Sequence, residues 1–268
     1  MNSMNKYLVI GNPINHSLSP KLHNYWFRKN NINAFYDKEK LDVKDLKTLV
    51  ARIRDKEIKG ANITIPFKKD IITYLDELTE EAKSTQSVNT IYFKNDKIVG
   101  HNTDIEGFKK SIENIDFNFN NKKVLILGAG GVVSSIIFAL YNLNVSKIAV
   151  SNRTKSKAED LKSLFNNLEV IDWGGLTDFD IIINATSMGL NKNDILDLSH
   201  LNIGKNKLFY DVIYNPKETN FLKRGKSTGN IAENGMMMFV YQAQASFKIW
   251  HDVLPKIDNN VIKLLEDD

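Results

Sequence analysis

The segment that decides the fold is Val124-Leu125-Ile126-Leu127-Gly128-Ala129-Gly130-Gly131-Val132-Val133. It begins as a short apolar strand and runs into glycines, where the chain must turn tightly into a helix predicted from about Gly130 to Leu143. Glycine permits this turn and lets a pyrophosphate approach the backbone, and the N–H groups that open the helix offer an anion site. The usual third glycine is replaced by Val133, so the motif alone also fits a strand-to-helix turn that binds nothing.

The residues after this helix predict which nucleotide is bound. A second strand, Lys147–Val150, runs into Ser151-Asn152-Arg153-Thr154, and the stretch 147–158 holds no Asp or Glu. At this point of a β-α-β unit an acidic residue selects the ribose 2′-hydroxyl of NAD, whereas an arginine selects the 2′-phosphate of NADP. Three basic residues cluster here: Arg153, Lys155 and Lys157. An exposed basic turn is common on any surface, but together with the glycine turn it favours NADP.

Length and composition limit the class of protein. The 268 residues are 42% hydrophobic and 25% charged, as in an ordinary globular protein with one large or two modest domains. A net charge of +4 is too small and diffuse to indicate nucleic-acid binding, and the lack of cysteine excludes disulfides and thiolate metal sites. Residues 1–6 lack the apolar core of a signal peptide and no apolar run reaches membrane-spanning length, so a cytoplasmic location is expected.

Short apolar runs alternate with helical patterns along the whole chain. Strands are predicted at Tyr7–Ile10, Phe35–Tyr36, Gly60–Ile65, Val88–Phe93, Ile98–Gly100, Lys123–Leu127, Lys147–Val150, Glu169–Asp172, Asp180–Ala185 and Leu208–Ile213. Helices are predicted after the Ser19-Pro20 pair, with Ser19 as N-cap, and over the stripe 43–53, residues 71–75, 80–84, 236–250 and 255–265. Residues 94–97 predict a tight turn.

This alternation predicts an α/β protein of two α/β domains. The first, a substrate-binding and catalytic domain with a mostly parallel sheet, comprises residues 1–104 plus about 236–268. The second, residues 105–235, is a Rossmann-type NADP-binding domain, and the loop 116–121 is interpreted as the covalent joint. The two C-terminal helices are expected to pack back on the first domain because no strand follows them, which would leave a cleft between the domains.

Polar side chains collect where the strands of the first domain end, which is where ligands bind in open α/β sheets. They are Ser17, Ser19, Thr64, Lys68, Asn89 and the tripeptide Asn102-Thr103-Asp104. Singly, each has a structural explanation: Ser19 and the tripeptide as helix caps, and Lys68 as a surface lysine. Together they form a cup of donors with one ammonium and one carboxylate, which suits a polyhydroxylated small anion.

Such a cup fits hydride transfer to a carbonyl carbon. The developing oxyanion needs a proton or a cation beside it, and Lys68 can supply either. Asp104 would hold the ammonium and accept a substrate hydroxyl. The five histidines show no metal-ligand spacing, so a zinc dehydrogenase is not expected.

The chain resembles the shikimate dehydrogenase family over nearly its whole length, in segments that follow the family's order. They are Gly11–Pro20, Asn62–Lys68, Ser87–Thr90, Asn102–Asp104, Gly107-Phe108, Gly128–Gly131, Asn152–Thr154, Asn184–Gly189, Asp211–Pro216, and Gly235 with Met238, Gln242 and Ala243. One such segment is weak support, whereas this many in order is highly specific.

The resemblance implies a role for each matching residue. Ser17 and Ser19 would bind the substrate carboxylate, Lys68 would be the catalytic acid–base and Asp104 its partner. Four further positions would line the substrate pocket: Thr64, Asn89, Tyr214 and Gln242. The implied reaction is the reversible NADPH-dependent reduction of 3-dehydroshikimate to shikimate, in the biosynthesis of chorismate and the aromatic amino acids.

The resemblance also implies how NADP(H) is held, with no metal ion. The phosphate turn would be Gly128, Ala129, Gly130, Gly131 and Val132, and the adenosine end would be Asn152, Arg153, Thr154, Lys155, Ser156 and Lys157. Thr186, Val212 and Gly235 would lie near the nicotinamide, with Glu80 a further cofactor neighbour. The implied partner is the small-molecule substrate, with no nucleic acid or membrane, and the chain would be a monomer or a homodimer.

Three alternatives stay open at this stage. A dual quinate/shikimate dehydrogenase that uses NAD or NADP shares the fold, although Arg153 without a neighbouring acid favours NADP and the Ser17/Ser19 pair favours shikimate. A non-catalytic NADP-binding sensor would not need both Lys68 and Asp104. A methylene-tetrahydrofolate dehydrogenase would lack the serine pair. We also expect a cis peptide bond between Ile65 and Pro66, directly before the proposed catalytic lysine.

Overall fold

The computed structural model describes residues 4–191 and 193–266. The chain forms two compact units: the first is Met1–Asp104 together with Val240–Asp268, and the second is Ile105–Phe239. The interpretation of the loop 116–121 as the joint is wrong, because the helix Asp104–Ile112 before it already packs in the core of the second unit. The chain instead passes from unit to unit after residue 104 and within the helix that starts at Met236.

The first unit is built on a six-stranded sheet. Its elements are β1 (Asn5–Gly11), α1 (Ser19–Lys29), β2 (Ala34–Lys40), α2 (Leu46–Arg54), β3 (Gly60–Ile63), β4 (Glu77–Leu78), α3 (Glu80–Thr85), β5 (Thr90–Lys94) and β6 (Lys97–His101), with 3₁₀ turns at Val43–Asp45 and Asp70–Tyr74. The strand order is β2-β1-β3-β5-β6-β4. The β1–β2, β1–β3 and β4–β6 pairs are parallel, whereas β3–β5 and β5–β6 are antiparallel.

The antiparallel part of this sheet follows from the tight turn between β5 and β6. Asn95 and Asp96 both have positive φ, 50° and 59°, which suits a two-residue hairpin turn and which asparagine and aspartate tolerate better than most residues. The sequence predicted the turn. The sheet is therefore mixed, with three of its five strand pairs parallel.

Alternate side chains of β1 pack in two different layers, one on each face of the sheet, as the two-residue period of a strand requires. Leu8 and Ile10 pack in an aliphatic core with α2. The opposite face carries an aromatic cluster of Tyr7, His23, Trp26, Phe27, Tyr36, Phe247, Trp250 and His251. The helices α8 (Met236–His251) and α9 (Asn259–Glu266) return the chain to this unit. There the Trp250 Nε1 donates to Ile91 O and the Trp26 Nε1 donates to Lys256 O.

The second unit is a doubly wound parallel sheet. Its elements are α4 (Asp104–Ile112), β7 (Lys123–Leu127), α5 (Val133–Tyr141), β8 (Lys147–Ser151), α6 (Lys155–Lys162), β9 (Leu168–Ile171), β10 (Ile181–Asn184), β11 (Leu208–Asp211), α7 (Asn220–Ser227) and β12 (Ile231–Glu233). The order β12-β11-β10-β7-β8-β9, with every pair parallel, is that of a Rossmann fold. The order reverses between β7 and β10, so the glycine turn after β7 lies at the switch point where such folds bind nucleotides.

Several predicted boundaries shift. The helix after the glycine turn begins at Val133 rather than near Gly130, and residues 71–75 form a 3₁₀ turn rather than an α-helix. Strand β3 ends at Ile63 because residues 65–69 turn, and the Ile65–Pro66 peptide bond is cis, as predicted. The short strands β4 and β12 and the helices α6 and α7 were not predicted. Within residues 4–191 and 193–266, no helix is long and apolar enough to cross a membrane.

Candidate functional site

The centre of the candidate site in the first unit is an ion pair between Lys68 and Asp104. The turn after β3 carries Lys68, and Asp104 is the first residue of α4. The Lys68 Nζ lies 2.5 Å from the Asp104 Oδ2, and the two residues are only 8% and 5% exposed. The structure therefore holds the ammonium and the carboxylate together away from water, where an ion pair is screened least.

Asn89, just before β5, fixes the other oxygen of this carboxylate. The Asn89 Nδ2 donates to the Asp104 Oδ1 at 2.9 Å and, more weakly, to the Gln242 Oε1 at 3.4 Å. The Asn102 Oδ1 accepts from the Asp104 backbone N–H at 3.0 Å, which closes an Asx turn where this helix begins. The structure thus brings together four predicted site residues, Lys68, Asn89, Asp104 and Gln242, from four parts of the chain.

The assignment of Ser19 as an N-cap is wrong. Helix α1 starts at Ser19 itself, with Leu18 in the cap position and no side-chain capping bond. The Ser17 Oγ accepts from the Ser19 backbone N–H at 3.3 Å. A cap must lie outside the helix with extended backbone, which the local turn before Ser19 does not provide.

Other predicted residues are placed without a direct bond to the Lys68–Asp104 pair. Thr64 follows β3 and is half-buried, with its backbone N–H donated to Ile10 O at 2.8 Å. Glu80 begins α3 on the surface of the first unit and pairs with Lys83 at 2.7 Å. Tyr214 belongs to the second unit, where its ring stacks on Phe239 with the centroids 4.6 Å apart.

The glycine turn after β7 is shaped by one position that demands glycine. Gly128 has φ +109°, and its backbone N–H donates to Ser151 O at 2.8 Å. A Cβ there would lie 2.7 Å from the Ala185 carbonyl oxygen. At Gly130 an added Cβ would meet no atom within 4 Å. Gly128 is therefore required by the fold, whereas the space at Gly130 is open for a ligand, as a phosphate cradle needs.

Gly128→Ala is expected to destabilise the protein by about 2–4 kcal/mol, because the positive φ and the close Ala185 carbonyl each penalise a side chain. The matched control is Gly130→Ala, which meets neither obstacle and is expected to unfold at the same denaturant concentration as the wild type. Equilibrium urea unfolding of the three proteins measures this. Equal destabilisation by both substitutions would contradict the argument.

At the adenosine end the basic residues are not equivalent. The Lys155 Nζ pairs with the Asp172 Oδ1 at 2.8 Å, and this contact raises the pKa of Lys155. Arg153 and Lys157 are exposed, and the Asn152 Nδ2 donates to Thr154 O at 2.7 Å, which shapes the turn. Thr154 is the N-cap of α6, and Ser156 lies exposed in the first turn of that helix.

The loops that follow β10 and β11 are joined by two buried residues that sequence reasoning gave no role. The Asn184 Nδ2 donates to the Asp211 Oδ1 at 3.1 Å and to Met188 O at 3.0 Å, and its Oδ1 accepts from the Thr186 hydroxyl at 2.7 Å. Burial raises the pKa of Asp211 to about 6, although it accepts bonds from the Thr219 hydroxyl and the Ile213 N–H. Asn184 and Asp211 both lie in motifs quoted above. The local sequence feature that could have indicated them is a polar residue at the end of an apolar strand.

Two predicted nicotinamide neighbours are thereby fixed at the ends of these strands. The Val212 N–H donates to Asn184 O at 3.0 Å, and the Gly235 N–H donates to Ile213 O at 3.1 Å. An added Cβ at Gly235 would collide with the Val212 carbonyl, so only glycine permits this approach. Within residues 4–191 and 193–266 no group of three or more His, Asp or Glu side chains is arranged to hold a metal ion.

Comparison with known proteins agrees with this arrangement. Residues 9–91 match the family model described as the shikimate dehydrogenase substrate binding domain, and residues 109–219 match the one described as shikimate / quinate 5-dehydrogenase. The chain is 58% identical to the shikimate dehydrogenase (NADP(+)) of Pelagibacter ubique, over 97% of this chain and 98% of that protein.

Solved structures are similar over almost the full length. The shikimate dehydrogenase of Aquifex aeolicus is 33% identical, with a TM-score of 0.88 over 100% of this chain and 99% of that chain. The shikimate 5-dehydrogenase of Thermus thermophilus, solved in complex with NADP(H) and shikimate, is 27% identical, with a TM-score of 0.85 over 94% of this chain and 95% of that chain. The chain belongs to the shikimate dehydrogenase family.

Proposed function

We propose that this chain catalyses the reversible NADPH-dependent reduction of 3-dehydroshikimate to shikimate. The observation that carries the proposal is the buried Lys68–Asp104 pair braced by Asn89, in the unit that matches the family's substrate binding domain. A relative that is 58% identical over 97% of this chain bears the name of this activity. A scaffold or sensor has no use for a buried ammonium and carboxylate held in contact.

Lys68 is the proton donor and acceptor of the proposed mechanism. NADPH, when bound, supplies the hydride to the carbonyl carbon of the substrate. The Lys68 ammonium then gives a proton to the carbonyl oxygen as negative charge develops there, and in the reverse direction the amine removes the proton of the same hydroxyl. Asp104 keeps the ammonium aimed through its Oδ2, while Asn89 holds the Oδ1.

The substrate contacts are assigned by chemistry and family resemblance. Shikimate carries one carboxylate and three hydroxyls, so its site needs donors at one end and mixed donors and acceptors along its length. Ser17 and Ser19 would bind the carboxylate. Four further side chains would hold the hydroxyls and ring: Thr64, Asn89, Tyr214 and Gln242.

The second unit would hold NADP(H). Its turn fits a pyrophosphate, because the position of a Gly130 Cβ is open. The exposed Arg153 would bind the 2′-phosphate, with Asn152, Thr154, Ser156 and Lys157 around it, and Lys155 is partly neutralised by Asp172. Thr186, Val212 and Gly235 would border the nicotinamide, and Glu80 is kept as a further cofactor neighbour.

The test is turnover of shikimate and of quinate, each with NADP and with NAD, followed at the nicotinamide absorbance band. Fast turnover is expected only with shikimate and NADP. Arg153→Ala is expected to raise the KM for NADP by about tenfold or more, the effect of losing a charge-assisted hydrogen bond, and to leave the KM for NAD unchanged.

The other outcomes distinguish the alternatives. Comparable turnover of quinate, or with NAD, would assign the chain to a dual-specificity quinate/shikimate dehydrogenase. No turnover in any combination, with NADP still bound, would point to a sensor. If Arg153→Ala weakened NADP and NAD equally, the 2′-phosphate assignment would be wrong.

The proposal includes a cytoplasmic location and a monomeric or homodimeric state. A biosynthetic reduction needs a supply of NADPH, which favours the cytoplasm. One chain contains both the Lys68–Asp104 pair and the nucleotide turn, so the chemistry does not require a partner subunit. Sedimentation equilibrium of the active enzyme distinguishes monomer from homodimer, and a larger assembly would contradict this part of the proposal.

A further inference from the structure

Around Asn89 lies a group of uncharged polar side chains that the proposed chemistry does not use. We call it the buried brace: Asn62, Thr90, Thr103 and Ser246. These residues are 6%, 0%, 0% and 0% exposed. Polar groups removed from water this completely cost stability unless every one is hydrogen-bonded, and such networks enforce one arrangement of the chain.

Two amides in this region have only one possible orientation. The Asn89 Oδ1 accepts from the Thr103 backbone N–H at 2.7 Å, and a backbone N–H can only donate. The Asn89 Nδ2 must therefore face the Asp104 carboxylate. In the same way, the Asn62 Nδ2 donates to the Asn89 backbone carbonyl at 3.1 Å, which can only accept. The Asn62 Oδ1 must then accept from Tyr36, whose hydroxyl lies 2.7 Å away.

Hydroxyls fill the space between these amides. The Ser246 Oγ donates to Gln242 O at 3.0 Å, so it accepts from the Asn62 Nδ2 at 2.9 Å. The Thr90 Oγ1 lies 2.8 Å from the Ser246 Oγ and 3.1 Å from the Asn89 Oδ1. The brace thus connects β3, β5 and helix α8 to the Asn89 amide, which donates to the Asp104 carboxylate.

The brace continues to Tyr36 on β2. The Tyr36 hydroxyl donates to the Asn62 Oδ1 at 2.7 Å, and burial raises the pKa of Tyr36 well above its ordinary value, so its hydroxyl keeps the proton. One continuous chain of hydrogen bonds therefore runs from Tyr36 through the brace and Asn89 to Asp104 and Lys68.

We propose that the side chains of the buried brace are positioning residues that hold Asn89, and through it Asp104 and Lys68, in the reactive arrangement. The inference rests on the proposed function, since it assumes that Lys68 transfers the proton. Without the Thr90 hydroxyl, the Asn89 Oδ1 loses a donor that limits its rotation. Without the Ser246 hydroxyl, Thr90 and Thr103, which both contact Asn89, lose a partner. In either case the donor that Asn89 presents to the Asp104 Oδ1 is held less firmly. A small misalignment of a reacting group is enough to slow the chemical step strongly.

The experiment compares Thr90→Val, which keeps the shape and removes the hydroxyl, with Thr90→Ser, which keeps the hydroxyl. For shikimate oxidation, Thr90→Val is expected to lower kcat by about 10- to 100-fold with the KM for NADP unchanged. Its solvent deuterium isotope effect on kcat is expected to increase, because proton transfer limits the rate. Thr90→Ser is expected to restore kcat to within about threefold of the wild type.

Ser246→Ala provides a second and milder test, should the valine variant fail to fold. Ser111→Ala is its matched control. Ser111 is also a buried helix serine, bonded to Phe108 O at 2.7 Å and to the Tyr210 hydroxyl at 2.8 Å, but it lies in the second unit. Ser246→Ala is expected to lower kcat and to raise the isotope effect, whereas Ser111→Ala is expected to change neither.

Unchanged kcat in Thr90→Val or Ser246→Ala, equal losses in the valine and serine variants at position 90, or an equal loss in Ser111→Ala would overturn the inference. These outcomes presuppose an active wild-type enzyme. A wild type without turnover of shikimate and NADP would instead contradict the proposed function, so the two failures are distinguishable.

Discussion

Lys68→Ala is expected to lower kcat for shikimate oxidation by about 10²- to 10⁴-fold, the contribution of a general acid–base group, while NADP binding stays unchanged. The loss is large because Lys68 is the ammonium in contact with Asp104, at 2.5 Å, in a place from which water is mostly excluded. No other cation is described in contact with that carboxylate. Steady-state turnover and a titration of NADP binding measure the two quantities separately.

The substitution also leaves a buried carboxylate without its cation, which costs about 3–5 kcal/mol when one partner of a buried pair is removed. Unfolding must therefore be measured beside activity, and Lys68→Met, which keeps the apolar stem, serves as the second variant. Lys69→Ala is the matched control, because Lys69 is the next residue and is exposed. Near-normal kcat in folded Lys68→Met would remove Lys68 from the mechanism.

The second large effect concerns stability in acid and comes from His23. This side chain is fully buried in the aromatic cluster and stacks on Tyr36, with the ring centroids 4.3 Å apart. Neither ring nitrogen has a hydrogen-bond partner among the described residues. Burial lowers the pKa of His23 from 6.5 to about 3, and the neighbouring His251 adds to the shift.

Because the pKa of His23 is lower in the folded than in the unfolded chain, the unfolded chain binds the proton first as the pH falls. The free energy of unfolding therefore keeps its full value above pH 6.5 and decreases as the pH falls toward 3. Between pH 6.5 and pH 5 this one group removes about 2 kcal/mol from the free energy of unfolding. Phenylalanine cannot bind a proton. On acidification the free energy of unfolding of His23→Phe should therefore fall by about 2 kcal/mol less than that of the wild type. His251, whose pKa burial lowers to about 4, contributes to the acid loss of both proteins.

Urea unfolding of wild type and His23→Phe at pH 7.5 and pH 5.0 provides the measurement. The comparison of differences cancels any effect of the phenylalanine on packing, since that effect is the same at both pH values. An equal loss of stability in the two proteins would show that His23 is protonated as easily in the folded as in the unfolded state.

Much of the second unit could be predicted from local sequence. The apolar run before Gly128 and the basic turn at Arg153 each reflect a backbone or charge requirement that acts over a few residues. In the first unit, the hairpin turn at Asn95 and Asp96 could be predicted for the same reason. The boundaries were less certain: Val43 starts a 3₁₀ turn outside the helix, and β12 is only three residues long, too short to show a period.

In the first unit the sequence determined which residues form the candidate site, and the tertiary structure decided what they do to each other. Ser19 shows the difference, because its local sequence favours a helix cap, whereas in the structure the helix starts at Ser19 itself and has no side-chain capping bond. The sequence motifs predicted that Lys68, Asn89 and Asp104 belong to the site. They did not predict which oxygen of the Asp104 carboxylate binds Lys68 and which binds Asn89.

The sequence by itself determined the two α/β units, the nucleotide turn and the chemical groups of the site, since these depend on periodicity, glycine geometry and charge within short segments. Only the tertiary structure decided the mixed sheet and the buried brace. Asn62 and Ser246 are 184 residues apart in the sequence, and no local sequence pattern predicts their contact. They meet because α8 returns to pack on the first unit, where a buried amide and hydroxyl must find partners.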